Sequence, residues 1–111
     1  MRRLSLAALA SALSVLLACA ATLPMASERD AMLAGVPLRD LHKGRERYVA
    51  KCSGCHRLYA PAEYNDEEWA VHVPAMRKKA RLSDDDIEAI LDYVTAVNGT
   101  HEQPLAKALA D

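Results

Sequence analysis

Hydrophobic residues recur at helical spacing in two parts of this chain. In the first part, an apolar stripe is formed by Leu41, Tyr48, Val49 and Cys52, and the charged residues between them lie largely on the other faces. No stretch shows the alternation of apolar and polar residues that marks a strand. The pattern therefore predicts an all-α fold.

The clearest predicted helix follows Ser83. Three aspartates come directly after this serine, which is a good N-cap residue, and acidic side chains stabilise the first turn of a helix. The helix is expected to end at Asn98 and Gly99. Its apolar stripe consists of Ile87, Ile90, Leu91, Val94 and Val97.

A further helix is predicted between these two. Asn65 is a good N-cap, and the three acidic residues at 66–68 favour a helix start. Pro74 lacks an amide donor and clashes with the preceding turn, so we expect a break or kink near residues 71–73. The prediction is thus three main helices.

The first twenty residues predict an export signal. Two arginines precede an uncharged run of Leu, Ala and Ser over residues 4–18, which is short for a membrane span. Small residues permit cleavage before Ala21, which would remove Cys19. Residues 16–19 also resemble a bacterial lipoprotein signal, in which Cys19 becomes the lipidated N-terminus. Both alternatives place the protein outside the cytoplasm, in the periplasm or otherwise exported, and only the second attaches it to a membrane.

The remaining chain divides into three parts. Residues 21–39 are predicted to be a linker or loose arm, because Pro and Gly punctuate them and their apolar residues have no sustained period. Residues 40–98 form the one folded domain, and residues 99–111 are a C-terminal tail. The net charge of the 111-residue chain is -1, which gives no indication of nucleic-acid binding.

The strongest motif is Cys52-Ser53-Gly54-Cys55-His56. Exported thiols are normally oxidised unless something occupies them, and Cys19 is either removed or lipidated. Two thiols at this spacing can add to the two vinyl groups of one haem, with the following histidine as the proximal iron ligand. A covalently held macrocycle would also supply much of the core that a domain of about 60 residues lacks.

Two other interpretations of the cysteine pair remain open. A thioredoxin-like dithiol requires a preceding strand and a βαβ setting, whereas the flanks here are predicted to be helical. A zinc site requires further ligands, which His72 and His101 could supply, although neither has the compact spacing of a zinc finger. The covalent haem site fits the motif better than either.

Residues on both sides of the motif resemble a known family. Gly44 and Tyr48 precede the motif at helical spacing, and Ile90 and Tyr93 fall in the predicted last helix. Over roughly residues 40–97 the chain is similar to the bacterial monohaem cytochrome c family of class I type. In such proteins the N-terminal helix crosses the closing helix with a glycine at the contact. The resemblance implies a small cytochrome c-like domain of three main helices around one haem c.

The resemblance also suggests the second iron ligand and the function. Met76 lies shortly before Leu82, where family members commonly supply the distal ligand, and His72 is the less favoured candidate. His/Met ligation implies an electron carrier that cycles between Fe(III) and Fe(II), with protein redox partners and no enzymatic activity of its own. It would be a monomer or a subunit of a redox complex. Trp69 and Tyr59 are expected to pack on the haem, and the basic run that follows Met76 could steer an acidic partner.

Two functional alternatives follow from the same motif. An iron with an open sixth site would indicate a gas sensor or a peroxidase-like enzyme. A haem that relays electrons inside a larger complex would instead make the chain a docked subunit of that complex. Binding of carbon monoxide and co-isolation with stoichiometric partners distinguish these alternatives from a free carrier.

Overall fold

The computed structural model of the protein describes residues 23–54, 57–102 and 109–110. In that part of the chain all regular structure is helical and no strand is present, which confirms the predicted all-α class. None of the described helices is long and apolar enough to cross a membrane. The α-helices are α1 (Glu28–Ala34), α2 (Leu38–Cys52), α3 (Asp66–Ala75) and α4 (Asp84–Val97), and two 3-10 helices span Pro61–Glu63 and Thr100–Glu102.

Helices α2 and α4 cross at Gly44. A β-carbon at this position would collide with the carbonyl oxygen of Ala89 and lie 2.8 Å from Cβ of Tyr93. One turn further along α2, the rings of Tyr48 and Tyr93 pack with their centroids 6.4 Å apart. The glycine contact between the two helices, which the resemblance implies, is confirmed. The buried core around this crossing contains Tyr48, Trp69, Val73, Leu82, Ile87, Ile90, Tyr93 and Val94.

Helix α3 begins as predicted but continues further than predicted. Asn65 Oδ1 accepts a hydrogen bond from the Glu68 amide at 2.8 Å, and the Glu68 carboxylate accepts one from the Asn65 amide at 2.9 Å. The predicted break at residues 71–73 is wrong, because the helix runs through Pro74 and ends at Ala75. Pro74 removes only the one intrahelical bond to the carbonyl of residue 70, while the amides of residues 71–73 can still donate to the preceding turn.

Tight turns connect α3 to α4. The Ala80 amide donates to the Met76 carbonyl, and the Leu82 amide donates to the Arg77 carbonyl, both at 2.9 Å. Arg81 has a φ of 54°, in the left-handed region, and the bond from Leu82 to Arg77 has the 6→1 spacing found in a Schellman motif. The turn directs Leu82 into the core, where 5% of its surface is exposed.

The segment predicted to be a loose arm is packed on the helices where it is described. It contains α1, which begins with a capping box between Ser27 and Asp30 and ends at Gly35 in the left-handed region. Ala26 and Ala31 are buried in a small cluster with Leu41 and Ala96. The prediction fails because small alanines give a weak periodic signal and because their partners are distant in the sequence.

Three side chains of α2 and α4 hold the backbone that precedes α1. Burial raises the pKa of Tyr93 to about 12, so its hydroxyl remains a donor at physiological pH. His42 is half-buried, and its ring is hydrogen-bonded to this backbone. Arg45 Nη2 donates to the Leu23 carbonyl at 3.3 Å, and Tyr93 Oη donates to the Pro24 carbonyl at 2.6 Å. His42 Nε2 donates to the Ala26 carbonyl at 3.2 Å.

The start of α4 is tied to α2 through the buried carboxylate of Asp86. Asp86 accepts a hydrogen bond from the Ser83 amide at 3.0 Å, and its own amide donates to Ser83 Oγ at 3.1 Å. Its carboxylate also forms an ion pair with Arg47, and Lys51 Nζ lies 3.9 Å away. The Ser83 amide and the Arg47 guanidinium stabilise the charged form and lower the pKa of Asp86 to about 2.

This carboxylate predicts a specific dependence of stability on acid. A pKa that is lower in the folded state than the usual 3.8 stabilises the fold above pH 4, and the contribution is lost as the pH falls towards 2. We expect the stability of the wild type to decrease more steeply over this interval than that of Asp86→Asn. Urea unfolding, followed by helical circular dichroism at several pH values, measures both slopes.

The exposed neighbour Asp85 provides a control for this experiment. Asp85 lies in the same first turn of α4 and is exposed. Asp85→Asn should therefore keep the steep acid dependence of the wild type, while Asp86→Asn flattens it. Parallel curves for the wild type and Asp86→Asn would show that the ion pair does not couple stability to pH.

Candidate functional site

A cavity of about 250 Å³ lies between the C-terminal part of α2, helix α3 and the turns that precede α4. Its walls are mainly aromatic and aliphatic, and they include one thiol and one thioether. The lining residues are Tyr48, Cys52, Tyr59, Tyr64, Trp69, His72, Val73, Met76 and Leu82.

Cys52 reaches the cavity because it is the last residue of α2 and lies one helical turn after Tyr48. The Tyr48 hydroxyl donates a hydrogen bond of 2.8 Å to the Tyr59 carbonyl, which ties α2 to the chain that follows the cysteine motif. Burial raises the pKa of Tyr48 above the usual value for tyrosine. Its hydroxyl therefore remains a neutral donor at the edge of the cavity.

Trp69 forms the centre of an aromatic wall. Its indole Nε1 donates to the Pro61 carbonyl at 2.9 Å, and only 3% of the residue is exposed. The ring packs edge-on against Tyr48 and Tyr64, with centroid distances of 6.0 and 5.1 Å. Such edge-to-face contacts are favourable in addition to the burial of apolar area. They hold the wall rigid around the cavity.

Both candidate distal ligands lie on this cavity, one helical turn apart. Met76 follows the last residue of α3, and its amide donates to the Val73 carbonyl at 3.1 Å. The His72 ring stacks on Tyr64 with centroids 4.3 Å apart. Met76 is half-buried, whereas His72 is exposed at the rim. The structure therefore places Cys52, Met76 and His72 on one cavity.

Cys55 and His56 lie outside the described residues, so their predicted roles stay predictions. The zinc alternative needs His72 and His101 at one site. His101 instead lines a separate cavity of about 190 Å³ with Pro24 and Leu33. Within residues 23–54 and 57–102, no group of three or more His, Cys, Asp or Glu side chains could hold a metal ion.

The loop that follows the motif is held by an ion pair. The Arg57 guanidinium donates to both carboxylate oxygens of Glu63, at 2.9 and 3.3 Å, and lies over the Tyr59 ring at 4.6 Å. Glu63 also accepts from the Ala60 amide at 2.6 Å. The Arg57 hydrogen bond is the main cause of a lowered pKa of Glu63. These contacts fix the loop that carries Tyr59 to the cavity wall.

The basic run after Met76 is exposed beside the cavity. Arg77 forms an ion pair with Asp84 at 2.7 Å, so part of its charge is neutralised within the domain. Lys78, Lys79 and Arg81 are exposed in the turns that lead to Leu82. This arrangement leaves positive charge near the rim.

Val73 and Leu82 line the cavity although the sequence does not predict them there. Val73 is three residues before Met76 on the same helix face, a spacing that could have indicated it. Leu82 comes to the cavity only through the left-handed turn at Arg81, and a non-glycine residue gives little signal for such a turn.

The residues present fit a haem group. A flat macrocycle with a largely apolar surface requires apolar and aromatic walls, which Trp69, Val73 and Leu82 provide here. A c-type haem also requires thiols for its covalent attachment, one of which Cys52 places at the cavity, and the Met76 thioether is a suitable iron ligand. The donor set and the wall chemistry are thus consistent with the group that the motif implies.

The chain matches no protein-family model, no curated protein and no solved structure.

Proposed function

We propose that this protein is an exported electron carrier, a small cytochrome c-like protein with one haem c. Thioether bonds to Cys52 and Cys55 would hold the haem, and His56 and Met76 would ligate its iron. The observation that carries this proposal is one apolar cavity whose walls contain both Cys52 and Met76. These two residues are 24 positions apart, and the motif alone does not require them to meet.

The protein's own residues would position and shield the group. Bound haem supplies reversible one-electron chemistry between Fe(III) and Fe(II). Tyr48, Trp69 and Leu82 are buried in the cavity wall and would shield a bound haem from water on that side. The Met76 thioether, a soft ligand, would favour the ferrous state of a bound haem and so raise its potential. No side chain is needed to transfer a group, so the protein would not be an enzyme by itself.

The expected partners are redox proteins outside the cytoplasm. The predicted export signal places the cysteines in a compartment where free thiols are normally oxidised, and haem attachment would occupy them. The exposed cations Lys78, Lys79 and Arg81 could steer an acidic redox partner towards the cavity rim. The carrier would act as a monomer or as a subunit of a redox complex.

Covalent haem attachment is the direct test of this proposal. The full chain, with its own signal, is produced in a bacterium that has a c-type haem maturation system, and the purified protein is analysed by mass spectrometry after denaturation. We expect the polypeptide to retain the mass of one haem. The double variant Cys52→Ala/Cys55→Ala should retain none.

A matched control lies inside the motif. Ser53→Ala changes an exposed residue between the two cysteines and should leave haem attachment at the wild-type level. A wild-type protein that carries no haem, with its cysteines joined in a disulfide, would contradict the proposed function and favour the dithiol interpretation.

A further inference from the structure

Three large apolar side chains are exposed near the N-terminal end of the described domain. The exposed fractions are 59% for Met25, 76% for Met32 and 43% for Leu33. Met25 precedes Ala26 and Met32 follows Ala31, and both alanines are buried in the same small cluster. Met25 and Met32 therefore lie next to the buried alanines through which the N-terminal segment packs on the helices.

The backbone beside these side chains is fixed to the domain. Hydrogen bonds from Arg45 and Tyr93 hold the carbonyl groups of Leu23 and Pro24. Cys19 is only four positions before Leu23. The intervening chain can span at most roughly 14 Å, since an extended chain covers about 3.3–3.6 Å per residue. A lipid on Cys19 would hold this end of the domain at the bilayer surface.

We propose that Met25, Met32 and Leu33 form a membrane-contacting surface that a lipid on Cys19 holds against the bilayer. Apolar side chains next to an anchor enter the boundary between headgroups and acyl chains at little further cost in entropy. On α1, exposed Arg29 lies three positions before Met32 and four before Leu33, and exposed Glu28 lies four before Met32, so one charge of each sign borders these apolar side chains. The proposal rests on lipidation of Cys19 and is independent of the haem.

Methionine oxidation tests the contact directly. The full chain is extracted from bacterial membranes, its N-terminal lipid is identified by mass spectrometry, and the protein is reconstituted on vesicles of phosphatidylcholine and phosphatidylglycerol. Dilute peroxide then oxidises exposed methionines to the sulfoxide. We expect Met25 and Met32 to react at least about fivefold more slowly on vesicles than in a soluble form that begins at Ala21, because the bilayer shields the thioethers.

A control and a second variant make the test specific. Val71 is 68% exposed on α3, so a methionine introduced by Val71→Met should react equally in both forms. Met25→Ser/Leu33→Ser should remove more than half of the protection of Met32 while the lipid is retained. Absence of a lipid on Cys19, or equal oxidation of Met32 on vesicles and in solution, would overturn the proposal. Haem content, measured on the same samples, reports separately on the proposed function.

Discussion

Gly44→Ala is expected to destabilise the protein by at least about 3 kcal/mol, a large effect for a single methyl group. The added β-carbon would collide with the Ala89 carbonyl oxygen and press on Cβ of Tyr93, both of which belong to the rigid backbone region of α4. Helices α2 and α4 would have to separate, and the packing of Tyr48 on Tyr93 would loosen. Urea unfolding, followed by circular dichroism, measures the loss.

The sign of this effect is informative. In an unconstrained helix, replacement of glycine by alanine stabilises by about 1 kcal/mol, so a stabilised Gly44→Ala variant would contradict the helix contact. Gly54→Ala is the matched control, because a β-carbon there would have no neighbour within 4 Å. That variant should unfold at nearly the wild-type urea concentration.

Trp69→Ala is expected to cost about 3–5 kcal/mol and to disrupt the cavity. The substitution removes the buried ring that contacts Tyr48 and Tyr64 and leaves the Pro61 carbonyl without its indole donor. Neighbouring side chains are themselves fixed by hydrogen bonds and ring contacts, so the wall cannot collapse easily into the space. The free energy of unfolding in urea and the haem content of the purified variant are the two measurements.

Trp69→Phe separates the two contributions of this residue. Phenylalanine keeps most of the ring packing and loses the 2.9 Å hydrogen bond to Pro61, so we expect a smaller loss of about 1–3 kcal/mol. If the alanine variant were no less stable than the phenylalanine variant, ring packing could not be the main contribution of Trp69 to the wall.

The local signals in the sequence predicted the helices well. Asn65 and Ser83 form the expected N-terminal caps, and α4 ends at Val97, directly before the predicted end at Asn98. These features depend on side chains that bond to their own neighbouring backbone, so local sequence determines them. The glycine contact at Gly44 was predicted through the resemblance to a family, and the structure confirms it.

The parts that the sequence did not predict depend on distant contacts. The segment before α2 lacks a periodic apolar pattern, and it is ordered by the Tyr93 hydroxyl, 69 positions after its partner Pro24. The ion pair between Arg47 and Asp86 joins residues 39 positions apart. Neither pairing has a local signature, because charged and tyrosine side chains are usually found on solvated faces.

At the candidate site too, local signals in the sequence predicted some features, and others depend on contacts between distant residues. The motif located Cys52 from spacing alone, and the structure adds the shared cavity that joins it to Met76 and His72. The sequence could rank those two residues only through a resemblance, because a lone methionine or histidine has several ordinary roles in a fold. Their positions one turn apart at the C-terminal end of α3 make both of them testable ligands.

The central claim is best tested by absorption spectra of the haem-loaded protein, oxidised and reduced, with and without carbon monoxide, for the wild type, Met76→Ala and His72→Ala. The account predicts a six-coordinate low-spin wild type with the sulfur-to-iron charge-transfer band and no ready binding of carbon monoxide. Met76→Ala should lose that band and bind carbon monoxide, whereas His72→Ala should keep the wild-type spectrum. A wild type that is already high-spin, or that binds carbon monoxide readily, would contradict the electron-carrier function and favour a sensor or an enzyme with an open sixth site.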